Sequence, residues 1–526
     1  MHRDDLLKRL DETPEWDLVI VGGGATGLGA AVEAVSRGYK TLLLERDDFA
    51  KATSSRATKL SHGGVRYLQQ GDVSLVFHAL HERGLMVRNA PHLVHPLGFV
   101  IPAYKWWEKP FYGIGMWVYE KLAGKLSLGA SEVLTREEAL AKVPTANAQG
   151  LRGGVLYFDG QFDDSRMAVT LARTADDLGG TILNYFEVTG LLKDGGKAAG
   201  VAARDSETGK EYKIRAKAVL NATGIFTDSV RRMDEPTAKP VMNVAQGTHL
   251  VIDKSFLPGT TGLMVPKTED GRVLFIVPWH GHLIVGTTDL HVPEPLAEPR
   301  ALPEEIEFIL HHASLYLNRP VERKDVLSVF AGMRPLVQAG EGSEANTAKL
   351  SRDHTILVSA SKLVTITGGK WTSYRHMGEA AVDKVIEVCG LPHRASMTAE
   401  LHLHGWQEPP PGQRGPDVNV YQNVYGTDRA AIEALIAEEP ELGHPLHPAL
   451  PYVGAEVVWA ARHEQARTVE DVLARRTRAL LLNAKASAEA APEAARLLAR
   501  ELGRDAEWQR RQVEAYGALA RGYQLI

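Results

Sequence analysis

The chain is poor in sulfur chemistry: Cys389 is the single cysteine in 526 residues. One thiol cannot close an internal disulfide, which fits a reducing compartment. There is no run of 18 apolar residues, the minimum that a membrane-spanning helix needs. Residues 1–14 are polar and charged and lack the apolar core of a secretion signal. Neither charge dominates: 60 Lys and Arg stand against 65 Asp and Glu, for a net charge of −5. That balance argues against the basic field of a nucleic-acid partner. No metal site is expected, and no internal repeat is visible. Low complexity is confined to an Ala-rich C-terminal part. The length allows two or three domains, and 44% hydrophobic residues suffice for a substantial core.

What is present is concentrated at the start, in Asp17 to Glu45. Asp17 to Val21 reads as a buried parallel strand. Gly22, Gly24 and Gly27 then fall on a G-x-G-x-x-G spacing. A helix is expected from Ala25 to Arg37, closed by Gly38, and a second strand from Thr41 to Leu44 ends at Glu45. The first glycine makes a tight turn, the second lets backbone approach a pyrophosphate, and the third lets helix and strand pack closely. The helix N-terminus presents N–H groups to phosphate. Glu45 is placed to accept from a ribose 2′-OH and disfavours a 2′-phosphate, leaving FAD or NAD.

Further along, Thr53, Ser54 and Ser55 can donate to phosphates. Gly63-Gly64 can let backbone pass a flat ring before a helix; a plain surface loop is the alternative. Residues 104–119 gather Tyr104, Trp106, Trp107, Phe111, Tyr112, Trp117 and Tyr119, flanked by Lys105, Lys109, Lys121 and Lys125. Such a helix either lies in a lipid headgroup layer or packs in a core or domain interface.

Tyr157 to Asp164 reads as a turn-rich connection into a helix from Ser165 to Leu178. Strands follow at 182–188, 199–205 and 211–220, the last running into Ala222-Thr223-Gly224, which suits backbone near a cofactor or an ordinary left-handed turn. Antiparallel sheet is expected from Met242 to Asp289, with a hairpin at His280-Gly281, then a helix over 303–317 and a strand over 326–330 leading to Gly332-Met333-Arg334-Pro335. A hairpin of 355–359 and 363–367 ends in Gly368-Gly369-Lys370, opening a helix to about Val388. Pro409 to Gly412 marks a linker. Helices are expected near 428–438, 454–465, 469–483, 487–502 and 505–520, with Thr468 and Asp471 as an N-cap pair.

The glycine fingerprint, TSSRATKLSHGGVRYLQQ, LNATGIFTDSV, IVPWHGHLIVGTTD, GMRPL and TGGKWTSYR occur in this order. Together they closely resemble the FAD-dependent glycerol-3-phosphate dehydrogenases, which are glutathione-reductase-like flavoproteins with a substrate domain related to D-amino acid oxidase. The resemblance is strong over about residues 15–390, and ARHEQARTVEDVLARRTRALLLNA extends it into the tail. It implies an α/β fold with a Rossmann-type FAD-binding domain (15–90, 150–240 and 325–390), an antiparallel-sheet substrate or cap domain (91–149 and 241–324) and an all-helical C-terminal domain (395–526).

The resemblance also implies oxidation of sn-glycerol 3-phosphate to dihydroxyacetone phosphate, with electrons passed to membrane quinone. Gly22, Gly23, Gly24, Thr26, Gly27, Glu45, Arg46, Thr53, Ser54, Lys59 and Leu60 match positions along the ADP and pyrophosphate. His62, Gly63 and Gly64 would approach the flavin, and Val188 the adenine. Ala222, Thr223 and Gly224 would back the cofactor, and Gly368, Gly369, Lys370 and Thr372 would face the flavin pyrimidine. Arg66, Tyr67, His249, Arg334, Arg352 and Lys370 match positions around the substrate.

The chemistry agrees with these placements. Guanidinium forks suit a phosphomonoester dianion, so Arg334 and Arg352 are expected on the phosphate. His249 is the candidate base, and Lys370 would stabilise charge at flavin N1–C2=O. The expected setting is cytoplasmic, peripheral on the inner face of the plasma membrane through 104–125, and a homodimer is one assembly to consider. Two alternatives are an oxidase of the same substrate that reduces O₂ to peroxide, and a non-catalytic flavin-binding protein.

Overall fold

A computed structural model describes residues 1–64, 73–337, 354–410 and 424–525. The glycine-flanked strand Leu18–Val21 is buried along its whole length, as its sequence LVIV requires. It sits inside a six-stranded sheet between Thr41–Leu44 and Val219–Asn221, parallel to both. Thr181–Leu183 extends the sheet on one side, and the hairpin of His354–Val358 and Val364–Gly368 on the other. A separate three-stranded meander of Phe186–Asp194, Lys197–Asp205 and Glu211–Arg215 follows.

Helix Ala25–Ser36 covers this sheet and packs on Tyr374–Cys389 through facing glycines. A Cβ at Gly378 would lie 2.7 Å from the Gly29 backbone, and one at Gly29 would lie 2.7 Å from the Tyr374 carbonyl oxygen. Only residues without side chains allow that approach.

A ten-stranded, mainly antiparallel sheet forms the second layer. Two of its strands correct the expected boundaries. Gly153–Gln161 is no turn-rich connection. It pairs with His95–Ala103 along its full length, and buried Asp159 is satisfied by Arg83 and Tyr119. Val326–Val337 runs past the expected end at Phe330 and pairs with Met242–Asp253, setting Arg334 opposite Ala245. Residues 153–161 and 326–337 thus lie in the large sheet. Pairing across more than 50 residues decided this, and no local pattern carries it.

The tail is helical, as expected: Arg429–Glu438, Gly454–His463, Ala484–Leu502 and Ala506–Arg521. The expected helix 469–483 is broken, however. It starts with the foreseen reciprocal cap, in which Asp471 N donates to Thr468 Oγ1 and Thr468 N to Asp471 Oδ2. A π-helical turn, Asp471–Arg476, follows, and Arg478 then takes φ +71° before Ala479–Leu482. The helix is irregular where Arg475, Arg476 and Arg478 all reach buried acids outside the tail. The polar N-terminus also holds an unforeseen helix, Arg3–Glu12, which buries Leu6 and Leu10 and sends Arg3 to Asn184 and Asp205.

The aromatic stretch divides its faces. In Glu108–Ala123, Tyr112, Met116 and Tyr119 are buried, while Phe111, Ile114 and Trp117 are more than half exposed. Trp106, just before the helix, is 78% exposed.

The glycine contact gives a test. Gly378→Val should cost about 1–3 kcal/mol and lower the Tm of the flavin-loaded protein, because overpacking forces two backbones apart. Gly115→Ala, where a Cβ meets nothing within 4 Å, should leave the Tm in place. Equal Tm values for both variants would contradict this packing.

Candidate active site

The parallel strands end at an open cleft with about 1430 Å³ of empty space, including its mouth. Its lining includes Gly22, Gly24, Thr26, Glu45, Arg46, Thr53 and Ser54 from the fingerprint and the loop after it. Val188, Ala222, Thr223 and Gly224 form another part of the wall, and Gly368, Gly369 and Lys370 a third. Segments scattered over the chain thus converge where a doubly wound sheet binds ligands.

Backbone geometry explains the glycines. Gly22 has φ +110°, and a Cβ there would sit 2.7 Å from the Ala222 carbonyl oxygen. A Cβ on Gly27 would lie 1.9 Å from the Gly22 carbonyl oxygen. At Gly24 it would point at Ser54 Oγ, 3.0 Å away. The helix that begins here has no acid in its first turn and no side-chain cap at Gly24; Ala25 N donates to Ser54 Oγ at 2.9 Å. An N-terminus so arranged suits an anion. Gly368 and Gly369 both take positive φ, +83° and +76°. The cleft therefore fits a dinucleotide flavin: glycine backbone, free helix N–H groups and an acid lie in the order such a molecule requires.

Glu45 accepts from Gly23 N at 2.6 Å and from Asp47 N at 2.9 Å. Burial pushes its carboxyl up to about 7 despite these bonds. The sequence reading did not single out Trp371, whose indole N–H donates to the Ser54 carbonyl at 2.9 Å and braces the phosphate loop. Nor did it find Arg46 over the Phe226 ring, 5.1 Å from its centroid. An indole beside a Gly-Gly-Lys turn could have been noticed; the ring partner of Arg46 could not.

Several expected cofactor residues stand behind the cleft instead of lining it. Gly23 and Gly27 shape its floor through backbone contacts. The Lys59 side chain is fully buried on Asp164, 2.7 Å away, and on the Ser55 carbonyl, so it is not available to a phosphate. Leu60 lies in a strand of the large sheet, paired with Gln161. Gly63 N donates to Tyr119 Oη at 2.7 Å, and Thr372 Oγ1 donates to the His62 carbonyl at 3.4 Å. Gly64 has φ +79°. Arg66, Tyr67 and Arg352 lie outside the described residues, as does the helix expected directly after Gly64.

The strand carrying Arg334 runs along the cleft, and its neighbour Pro335 is part of the wall. Arg334 donates to Asp289 at 3.0 Å, Thr287 Oγ1 at 3.1 Å and the Thr288 carbonyl at 2.9 Å. Glycines make room for it, since a Cβ at Gly247 would collide with its guanidinium. His249 lies two residues further on the same sheet face. Its ring stacks on Phe330 at 4.8 Å, and Nε2 lies 2.9 Å from Thr58 Oγ1. Burial, and then the Arg334 and Lys59 charges, hold its pKa well below the ordinary value. This favours the uncharged imidazole, the state a proton acceptor needs.

Comparisons with known proteins agree with this geometry. Residues 17–375 match the family model "FAD dependent oxidoreductase", and residues 368–509 match "C-terminal domain of alpha-glycerophosphate oxidase". A probable mitochondrial glycerol-3-phosphate dehydrogenase of Caenorhabditis elegans is 42% identical over 97% of this chain and 74% of its own. The chain belongs to the FAD-dependent glycerol-3-phosphate dehydrogenase family. The mitochondrial glycerol-3-phosphate dehydrogenase of Homo sapiens is 40% identical over 97% of this chain and 74% of its own. The crystal structure of a glycerol-3-phosphate dehydrogenase from Bacillus halodurans complexed with FAD superposes with a TM-score of 0.79 at 27% identity, covering 99% of this chain and 97% of that one. The protein is accordingly an FAD-dependent oxidoreductase with the α/β, sheet-plus-helical-tail architecture of this dehydrogenase family.

Glu45 yields a pH test. A ribose hydroxyl donates more strongly to the ionised carboxylate than to the neutral acid, so binding lowers this pKa from its raised value near 7. FAD affinity should therefore rise from pH 6 to pH 8, passing through the Glu45 transition near 7. Glu45→Gln should bind more weakly and without that slope. A wild-type slope in the variant would show that another group titrates.

Proposed function

We propose that this dehydrogenase oxidises sn-glycerol 3-phosphate to dihydroxyacetone phosphate and delivers the electrons to a membrane quinone. One observation carries the reading: a buried histidine and a carboxylate-braced arginine share one sheet face, on the strand pair whose Pro335 borders the dinucleotide cleft. When bound, FAD supplies the two-electron acceptor that takes hydride from the substrate carbon.

The side chains supply the rest. Arg334, fixed by Asp289, Thr287 and Thr288, presents a preset cation to the phosphate, with Arg352, Arg66 and Tyr67 as further candidates for the same pocket. His249 takes the proton of the C2 hydroxyl. Lys370, at the edge of the cleft, offsets the negative charge that the cofactor gains. The remaining expected cofactor contacts, Arg46, His62, Gly64, Val188 and Thr372 among them, belong to this reading.

An anaerobic titration tests it. Glycerol 3-phosphate should bleach the bound flavin, and a quinone analogue should restore the colour faster than O₂ does. Faster return with O₂ and peroxide release would instead identify an oxidase, and no bleaching a non-catalytic flavoprotein. Arg334→Ala should raise the substrate requirement by about 2–5 kcal/mol, because a half-buried guanidinium facing the phosphate dianion is lost. An unchanged KM would remove Arg334 from the pocket.

Quinone reduction calls for a membrane surface. Among the described residues no helix is long and apolar enough to cross a membrane. The exposed ridge of Trp106, Trp107, Phe111, Ile114 and Trp117, with Lys121 beside the Trp117 ring, has the make-up of a helix lying in the interface. This reading places the enzyme on the cytoplasmic face of the plasma membrane. Flotation with anionic liposomes checks the ridge. Trp107→Ala combined with Trp117→Ala should release the protein into the dense fraction, and undiminished flotation would dismiss it as the anchor.

A further inference from the structure

The loop from Asp48 to Lys59 separates two spaces. On one side, Lys51, Thr53 and Ser54 line the cofactor cleft. On the other, Asp48 and Lys51 line a cavity walled by Thr468, Glu470 and Arg475 of the helical tail. The loop is wound tightly against the glycine turn: Ala50, at φ +61°, donates its N–H to the Gly23 carbonyl at 3.0 Å. Lys59, at the other end, is also left-handed, at φ +65°. Non-glycine residues keep such backbone only where their surroundings impose it.

The imposing contacts come largely from the tail. Asp48 is fully buried and takes Arg475 Nε at 2.5 Å together with both Arg476 Nη groups, at 2.6 and 2.9 Å. Lys51 pairs with Glu470. Arg478 donates to the Ser55 carbonyl at 2.7 Å and lies 3.1 Å from Asp164, whose other oxygen accepts from Ala57 N at 2.8 Å. The pairs on Asp48 and Asp164 are buried charges that neither partner can abandon without leaving the other uncompensated.

We propose that the helical tail acts as the clamp on the cofactor loop, through Asp48–Arg475/Arg476 and Ser55–Arg478, so that FAD binding and the docking of residues 470–482 form one linked equilibrium. Asp48 and the three arginines are positioning residues: they reach the cofactor only through the loop. Linkage makes the effect reciprocal, so FAD must steady the tail as much as the tail steadies the FAD loop.

Amide hydrogen exchange on the full chain reads the first half. Peptides covering 470–482 should exchange at least about 5-fold more slowly in the FAD-loaded enzyme than after FAD has been lost by dilution. Flavin fluorescence reads the second half. Asp48→Asn should release FAD at least about 5-fold faster than wild type, while Arg510→Gln, at an exposed ion pair of the same tail, should not. A purely structural role would lower the Tm of Asp48→Asn and leave flavin release unchanged, which overturns the proposal. Equal exchange of 470–482 with and without FAD also overturns it, and needs no variant to fold.

Discussion

The structure depends first on how closely two backbones approach at the Gly22–Gly27 turn. The Gly22 carbonyl lies where any side chain at position 27 would have to be, and the Ala222 carbonyl closes on Gly22 from the neighbouring strand. The turn can therefore lie flat under a ligand, and the helix can start there with its N–H groups uncovered. Gly29 and Gly378 repeat the device one turn further along, bringing a second helix against the first. Lys370 precedes that second helix, so the same close packing fixes its distance from the fingerprint.

Buried charge does the comparable job between layers. Lys59 and Arg478 meet on Asp164, Arg166 on Glu464, and Arg475 and Arg476 on Asp48, all within the region where the loop, the 164–177 helix and the tail converge. Such pairs add little net stability over apolar packing, but mismatched alternatives would strand a charge in the interior. Their effect is to admit one arrangement of the three segments. The large sheet uses the same logic on a smaller scale: Asp289, the Thr287 hydroxyl and the Thr288 carbonyl hold Arg334 in one pose on the face that carries His249.

Much of the cofactor half was legible in the chain. The fingerprint, Glu45, Ala222-Thr223-Gly224 and Gly368-Gly369-Lys370 are each contiguous in sequence, and each turned up in the cleft. Their legibility comes from backbone demands, since positive φ and close approach can be met by few residue types. Lys59 misled because a lysine close behind a run of small hydroxyl residues reads the same whether its amine meets a phosphate or Asp164. The aromatic stretch kept two readings open; its helix turns one face into the core and leaves the other exposed.

The sequence alone determined the parallel strand, the glycine turn, the helix behind it and the helical character of the tail, because those follow from contacts within a few residues. Only the tertiary structure decided that Gly153–Gln161 and Val326–Val337 join the large sheet, that the tail helix breaks at Arg478, and that His249 shares a sheet face with Arg334. Those outcomes depend on strand register and on buried charges finding partners hundreds of residues away, and neither leaves a trace in local composition.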